Sequence, residues 1–205
     1  MVKSVFSAAS AVALASALVL GAGPVSAAAP GGILSEIKVG VFDHDAGRDS
    51  ATKQKEMNTV DFNGEFLSVP LAIATSDIPA LKSLYQPRAH IGFTANTAGW
   101  TNTGYAGLTW DWNLGAGFFT AFSFGFAGHD GQLKGSKDSK GAFISDGRPN
   151  LGSPVLFREG LDLGYHIDAV NSVSIYAAHI SNAGWLAKEN DGMNFLGGRY
   201  GFKFD

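Results

Sequence analysis

An apolar/polar alternation with a period of two recurs in eight segments of this sequence. That period is the repeat of a β-strand, whose successive side chains point to opposite faces. The first segment, about Ile33 to Asp43, puts Ile33, Ile37, Val39 and Val41 on one face and Glu36, Lys38 and His44 on the other. The second, Asn58 to Val69, sets Val60, Phe62 and Phe66 against Asp61, Asn63 and Glu65. A third opposes Ala89, Ile91, Phe93 and Ala95 to His90, Gly92, Thr94 and Asn96. Ala106, Leu108, Trp110 and Trp112 form one face of the fourth, and Phe118, Phe122, Phe124 and Phe126 one face of the fifth. In the sixth, Val155, Phe157, Leu161, Leu163 and Tyr165 oppose Arg158, Gly160, Asp162, Gly164 and His166. The seventh aligns Val173, Ile175, Ala177, His179 and Ser181; the eighth opposes Asn194, Leu196, Tyr200, Phe202 and Phe204 to Arg199, Gly201 and Lys203.

A soluble sandwich would alternate too, but two features select a barrel. The polar faces carry charged side chains flanked by glycine, which is how a narrow eight-stranded interior is filled. The opposite faces are aromatic and aliphatic with almost no charge, as lipid contact requires. The 27 glycines and 15 phenylalanines agree with this. The expected fold is all-β, an eight-stranded antiparallel transmembrane β-barrel of outer-membrane type. Glu159 breaks the pattern on the apolar parity and is expected near a strand end. The connections 43–56, 96–104, 128–153 and 182–192 are long, and 113–117 and 168–171 are short, the asymmetry of outer-membrane barrels. The connection 71–86 breaks that asymmetry, as a turn of helix or as an extended strand.

Residues 1–29 read as a secretory signal peptide: Lys3, an apolar run from Val12 to Gly21, and small residues through Ala29. The apolar run is short for a membrane span and ends at Gly23 and Pro24. Residues 30–205 then form a single domain. No cysteine is present, which excludes disulfides, a thiol nucleophile and a Cys-ligated metal. The net charge of −3 is mild and dispersed, so nucleic acid is not an expected partner. No GxSxG, P-loop or dinucleotide motif is present.

His179 and Ser181, two apart on one strand face, continue the stripe assigned to lipid. Hydrocarbon offers such a pair no hydrogen bonds. They either lie solvated at the headgroup level or work as general base and nucleophile, with a backbone N–H near Asn182 to Gly184 helping to hold an oxyanion. His179-Ile180-Ser181-Asn182-Ala183-Gly184, followed by Asn190-Asp191-Gly192 and a final aromatic strand, resembles the lipid A 3-O-deacylases of Gram-negative outer membranes, the PagL family. The resemblance is concentrated in residues 157–204. It implies a carboxylic ester hydrolase acting on lipid A in the outer leaflet, with Ser181 as nucleophile, His179 as base, and Asn182, Ala183, Gly184 and Asn190 supporting the oxyanion site. The family's third catalytic residue, a Glu two positions after Asn-Asp-Gly, is replaced here by Asn194. An Asn orients an imidazole through its carbonyl but brings no full charge. Glu189 and Asp191 are nearby loop acids, read chiefly as solvated. The mechanism implies no cofactor and no metal, and a homodimer is compatible with it.

His129-Asp130-Gly131 reads as a turn rather than a headgroup or metal site. His44, between Asp43 and Asp45, reads as a solvated loop start rather than a cation site. His90 and His166 read as lumen residues, and Trp100, Trp110, Trp112 and Trp185 as an interfacial girdle. The rival functions are a non-enzymatic structural barrel with a degenerate site, a small porin and a lipocalin-like carrier.

Overall fold

The computed structural model describes residues 32–48, 56–74, 77–137, 143–144 and 148–204; the signal-peptide expectation lies outside them. Eight long strands close into one antiparallel barrel: β1 (Leu34–His44), β2 (Val60–Pro70), β3 (Arg88–Asn96), β4 (Thr103–Gly115), β5 (Phe118–His129), β8 (Val155–His166), β9 (Asn171–Ser181) and β10 (Met193–Lys203). Each pairs with its neighbours in chain order, and β10 closes on β1. Two short strands, β6 (Ser136–Lys137) and β7 (Phe143–Ile144), pair within the β5–β8 connection. The connection 71–86 contains a short helix, α1 (Pro79–Tyr85), at the end opposite the long loops. Trp110 Nε1 donates to the Leu84 carbonyl at 3.0 Å, pinning the helix against β4. Ile78 and Leu84 of this connection are exposed.

Strand parity follows the sequence pattern. Val173, Ile175 and Ala177 face outward and Ser172, Tyr176, Ala178 and Ile180 inward along β9. The mid-lumen is an ion-pair network. Arg199 binds Glu65 (3.2 Å) and Asp162 (3.4 Å), Lys38 binds Asp162 (3.1 Å), and Arg88 binds Glu36 (2.5 Å). The Arg158 and Arg199 guanidiniums lie 3.5 and 3.4 Å from the ring centroids of Tyr105 and Tyr176. Buried charge is tolerated because Lys38, Arg88 and Arg199 each meet an opposite charge through a hydrogen bond, while Arg158 packs on the Tyr105 and Tyr176 rings. A glycine makes the stacking possible: a Cβ on Gly160 would stand 2.2 Å from the Tyr176 hydroxyl.

Toward the long-loop end the lumen turns apolar. Phe42, Leu151, Leu156, Tyr176, Ala178, Ile180, Met193 and Phe195 form one buried cluster. This plug positions the candidate site. Ala178 and Ile180 anchor β9 on either side of outward-facing His179, and Met193 and Phe195 anchor β10 on either side of Asn194. Register is fixed strongly where one face is buried, because a one-residue slip would invert every side chain.

Candidate active site

β9 and β10 bring His179 directly opposite Asn194. His179 Nδ1 lies 2.7 Å from Asn194 Oδ1. Asn194 Nδ2 donates to the Ala46 carbonyl at 3.1 Å, which fixes the orientation of the amide. Its oxygen therefore faces the imidazole, so Nδ1 carries the ring proton and donates it, and the Nε2 lone pair is left available as a base. The loop after β1 grips this arrangement. Ala46 N donates to Asn194 O at 3.1 Å, and Arg48 joins the Asp45 carboxylate (2.6 Å) to the carbonyl of Gly192 (2.6 Å). Nothing in the sequence singled out Ala46 or Arg48, since the residues they hold at the start of β10, Gly192 and Asn194, lie 144 and 148 residues away.

Ser181 shares the outward face of His179 and opens with it into a groove of about 360 Å³, lined also by Phe124, Phe157, Glu159, Ala183 and Trp185. No hydrogen bond joins Ser181 to His179 in this structure, which is common for catalytic pairs without substrate. A second, largely apolar groove of about 490 Å³ runs from His179 and Asn194 over Ala177, between Phe122, Leu161 and Leu196. The small side chain of Ala177, opposed by Leu161 and Leu196 in the neighbouring strands, forms its floor. Trp185, 84% exposed, meets Phe157 edge-on at 6.1 Å and forms the lip of the first groove.

The supporting residues divide. Asn182 is fully buried: its side chain donates to the carbonyls of Leu151 and Glu189 and accepts from Gly184 N, tying the loops together. Asn190 Oδ1 accepts from Asn182 N at 2.9 Å. The N–H groups of Asn182 and Gly184 are thus occupied. The N–H of Ala183 makes no hydrogen bond among the described residues, and Ala183 lines the Ser181 groove. Ala183 and Gly184 both have positive φ (54° and 71°) and form the centre of a tight turn closed by Trp185 N donating to Asn182 O at 3.0 Å. The Asp191 carboxylate receives Asn150 N at 2.7 Å, engaged in the loops rather than with His179.

Two expectations need correction. His44 is not solvated but fully buried, with Nδ1 at 2.8 Å from Asp61 and Nε2 at 3.3 Å from Glu56. Glu56 also receives Arg148 (2.7 Å) and the Thr101 N–H. Burial alone would raise the Glu56 carboxyl, but its hydrogen bonds from His44, Arg148 and Thr101 outweigh that and hold it down at about 2. Sequence could not pair His44 with a loop glutamate 12 residues on. Glu159 is also misplaced by the sequence reading: it is the fifth of twelve residues in β8, directly opposite His179. The remaining histidines behave as expected. His90 bonds Thr109 inside the barrel, His166 stacks on Phe119, and His129 holds a turn through Gly131 N and Ser153 O.

The family model for PagL, lipid A 3-O-deacylase, matches residues 82–203. No curated protein sequence matches the chain. Among solved structures, the outer membrane enzyme PagL is similar with a TM-score of 0.57 and 17% identity, over 82% of this chain and 98% of that one. That likeness is one of fold. A de novo designed transmembrane β-barrel has a TM-score of 0.46 at 13% identity (86% of this chain, 98% of that one), and Ail of Yersinia pestis 0.42 at 10% (84% and 100%).

Proposed function

Since the chain belongs to the PagL family of lipid A 3-O-deacylases, we propose that it is a serine ester hydrolase of the bacterial outer membrane that removes the 3-linked acyl chain of lipid A. The observation that carries this reading is an imidazole whose tautomer is locked by Asn194 at 2.7 Å, set beside a serine on the outer wall of a barrel. The apolar groove beside His179 suits an acyl chain lying along the wall. The wetter rim at Ser181, Ala183 and Trp185 suits the ester and the sugar.

Ser181 Oγ attacks the ester carbonyl carbon while His179 Nε2 takes its proton. The N–H of Ala183 donates to the oxyanion that forms. The tetrahedral intermediate collapses, the C–O bond to the sugar breaks, and His179 returns the proton to the departing sugar oxygen. Water then attacks the acyl-serine, giving its proton to His179, which passes it to Ser181 Oγ as the free fatty acid leaves. Asn194 holds the ring throughout, and Asn182 and Asn190 keep the Ala183 turn in place.

The test is lipid A mass spectrometry from cells expressing the wild type or Ser181→Ala. Loss of one 3-linked acyl chain with the wild type only is expected. Identical spectra from the two would make the barrel a non-enzymatic one.

A further inference from the structure

An imidazole acting as general base becomes a cation as it takes the nucleophile's proton. Asn194 fixes the ring but brings no charge to offset that cation. At a site bordered by lipid, water supplies little of the compensation, and an unpaired charge there is costly.

The other flank of the ring carries a carboxylate. His179 is opposed by Asn194 of β10 on one side and by Glu159 of β8 on the other, and all three have outward parity. Directly opposed residues of antiparallel strands have Cβ atoms about 4.5–5.5 Å apart, within reach of a glutamate and an imidazole. Glu159 and His179 also line both grooves together, so Glu159 stands where the two meet. A charge on the lipid-facing wall of a barrel is destabilising. Among the described strand residues, the only other acid of outward parity is Asp43, the next-to-last residue of β1. Glu159 instead lies inside β8, with Phe157 and Leu161 as its outward neighbours. It occupies a position that disfavours a charge, beside the one ring that must become charged.

We infer that Glu159 supplies the negative charge that stabilises the His179 imidazolium, across the ring from Asn194. It is a positioning residue: it acts through His179, accepts no proton in either step, and forms no bond to substrate. The inference rests on the hydrolase reading above.

The test compares wild type, Glu159→Gln, Asn194→Glu and the double variant, purified in detergent and assayed on lipid A in mixed micelles. Ser181→Ala is the blank, and heat-modifiable gel migration confirms folding. Glu159→Gln is expected to lower kcat by about 10–10²-fold, toward the low side of what a preorganised charge contributes, with KM little changed. Asn194→Glu places a carboxylate on the opposite flank, so in that background Glu159→Gln is expected to cost less than about threefold in kcat. A merely structural role for Glu159 would cost the same in both backgrounds. Ser181-dependent activity that Glu159→Gln leaves unchanged, lowers equally in both backgrounds, or alters only through KM overturns this inference and leaves the hydrolase reading standing. A folded wild type no more active than Ser181→Ala removes both.

Discussion

Gly192 has a φ of +63°, and a Cβ there would stand 2.9 Å from His179 Cε1 and 3.3 Å from Nε2. Two demands meet at this residue, a left-handed backbone and room for the imidazole edge. Gly192→Ala is therefore expected to cost about 1–2 kcal/mol in backbone strain and, separately, to push the ring out of line. Turnover should fall further than the urea-unfolding midpoint alone would suggest. Asn194→Leu removes the Nδ1 partner without adding charge. The ring then loses its fixed tautomer, and kcat is expected to fall by roughly 10²–10⁴-fold, the range that general-base assistance contributes. Much of this arrangement was legible in the sequence. His179 and Ser181 are two apart on a strand, and Asn194 follows across one hairpin, so local parity places all three. Glu159 was not legible as a neighbour, because its pairing depends on where β8 comes to rest against β9.

The rim loops show how elements lend order to one another. The β9–β10 loop is held by buried Asn182, and the start of β10 by Arg48 and Ala46 from the loop after β1. Beneath them the Glu56 carboxylate gathers His44, Arg148 and Thr101 into one clamp. Its acidity is raised by folding, from an ordinary 4.5 to about 2. A carboxyl with a depressed folded pKa contributes stability above its unfolded value and loses it as the pH falls through the folded one. The difference in thermal midpoint between wild type and Glu56→Gln is expected to be full above pH 4.5 and to shrink progressively down to about pH 2. Circular dichroism melts across that range would check it; a constant difference would refute it. Such a clamp cannot be read from sequence, since it joins a strand end to loop residues whose separations carry no periodic signal. The 71–86 connection likewise announced a departure from short turns, but not which structure would fill it.

At the scale of the molecule, the alternation of charge and apolar surface gave the barrel its closure and its two faces. What the alternation did not give was the filling of the lumen, where an ion network gives way to a buried apolar cluster toward the long-loop end. Two expectations follow. Among the described residues, Glu65→Ala leaves Arg199 with Asp162 alone as carboxylate partner, at 3.4 Å, so the cost is expected to stay below the roughly 3–5 kcal/mol of a fully broken buried pair, measurable as a lower urea midpoint in lipid vesicles. Liposomes carrying the wild type are expected to resist swelling in small sugars, because side chains occupy the interior that a porin would leave open. The outward placement of His179 and Ser181 has one more consequence. If it acts as proposed, a site on the exterior wall meets its substrate by lateral diffusion within a leaflet, so the quantity that governs its rate is a mole fraction in two dimensions. Diluting the substrate with inert lipid, at constant total amount in the tube, should slow turnover in proportion.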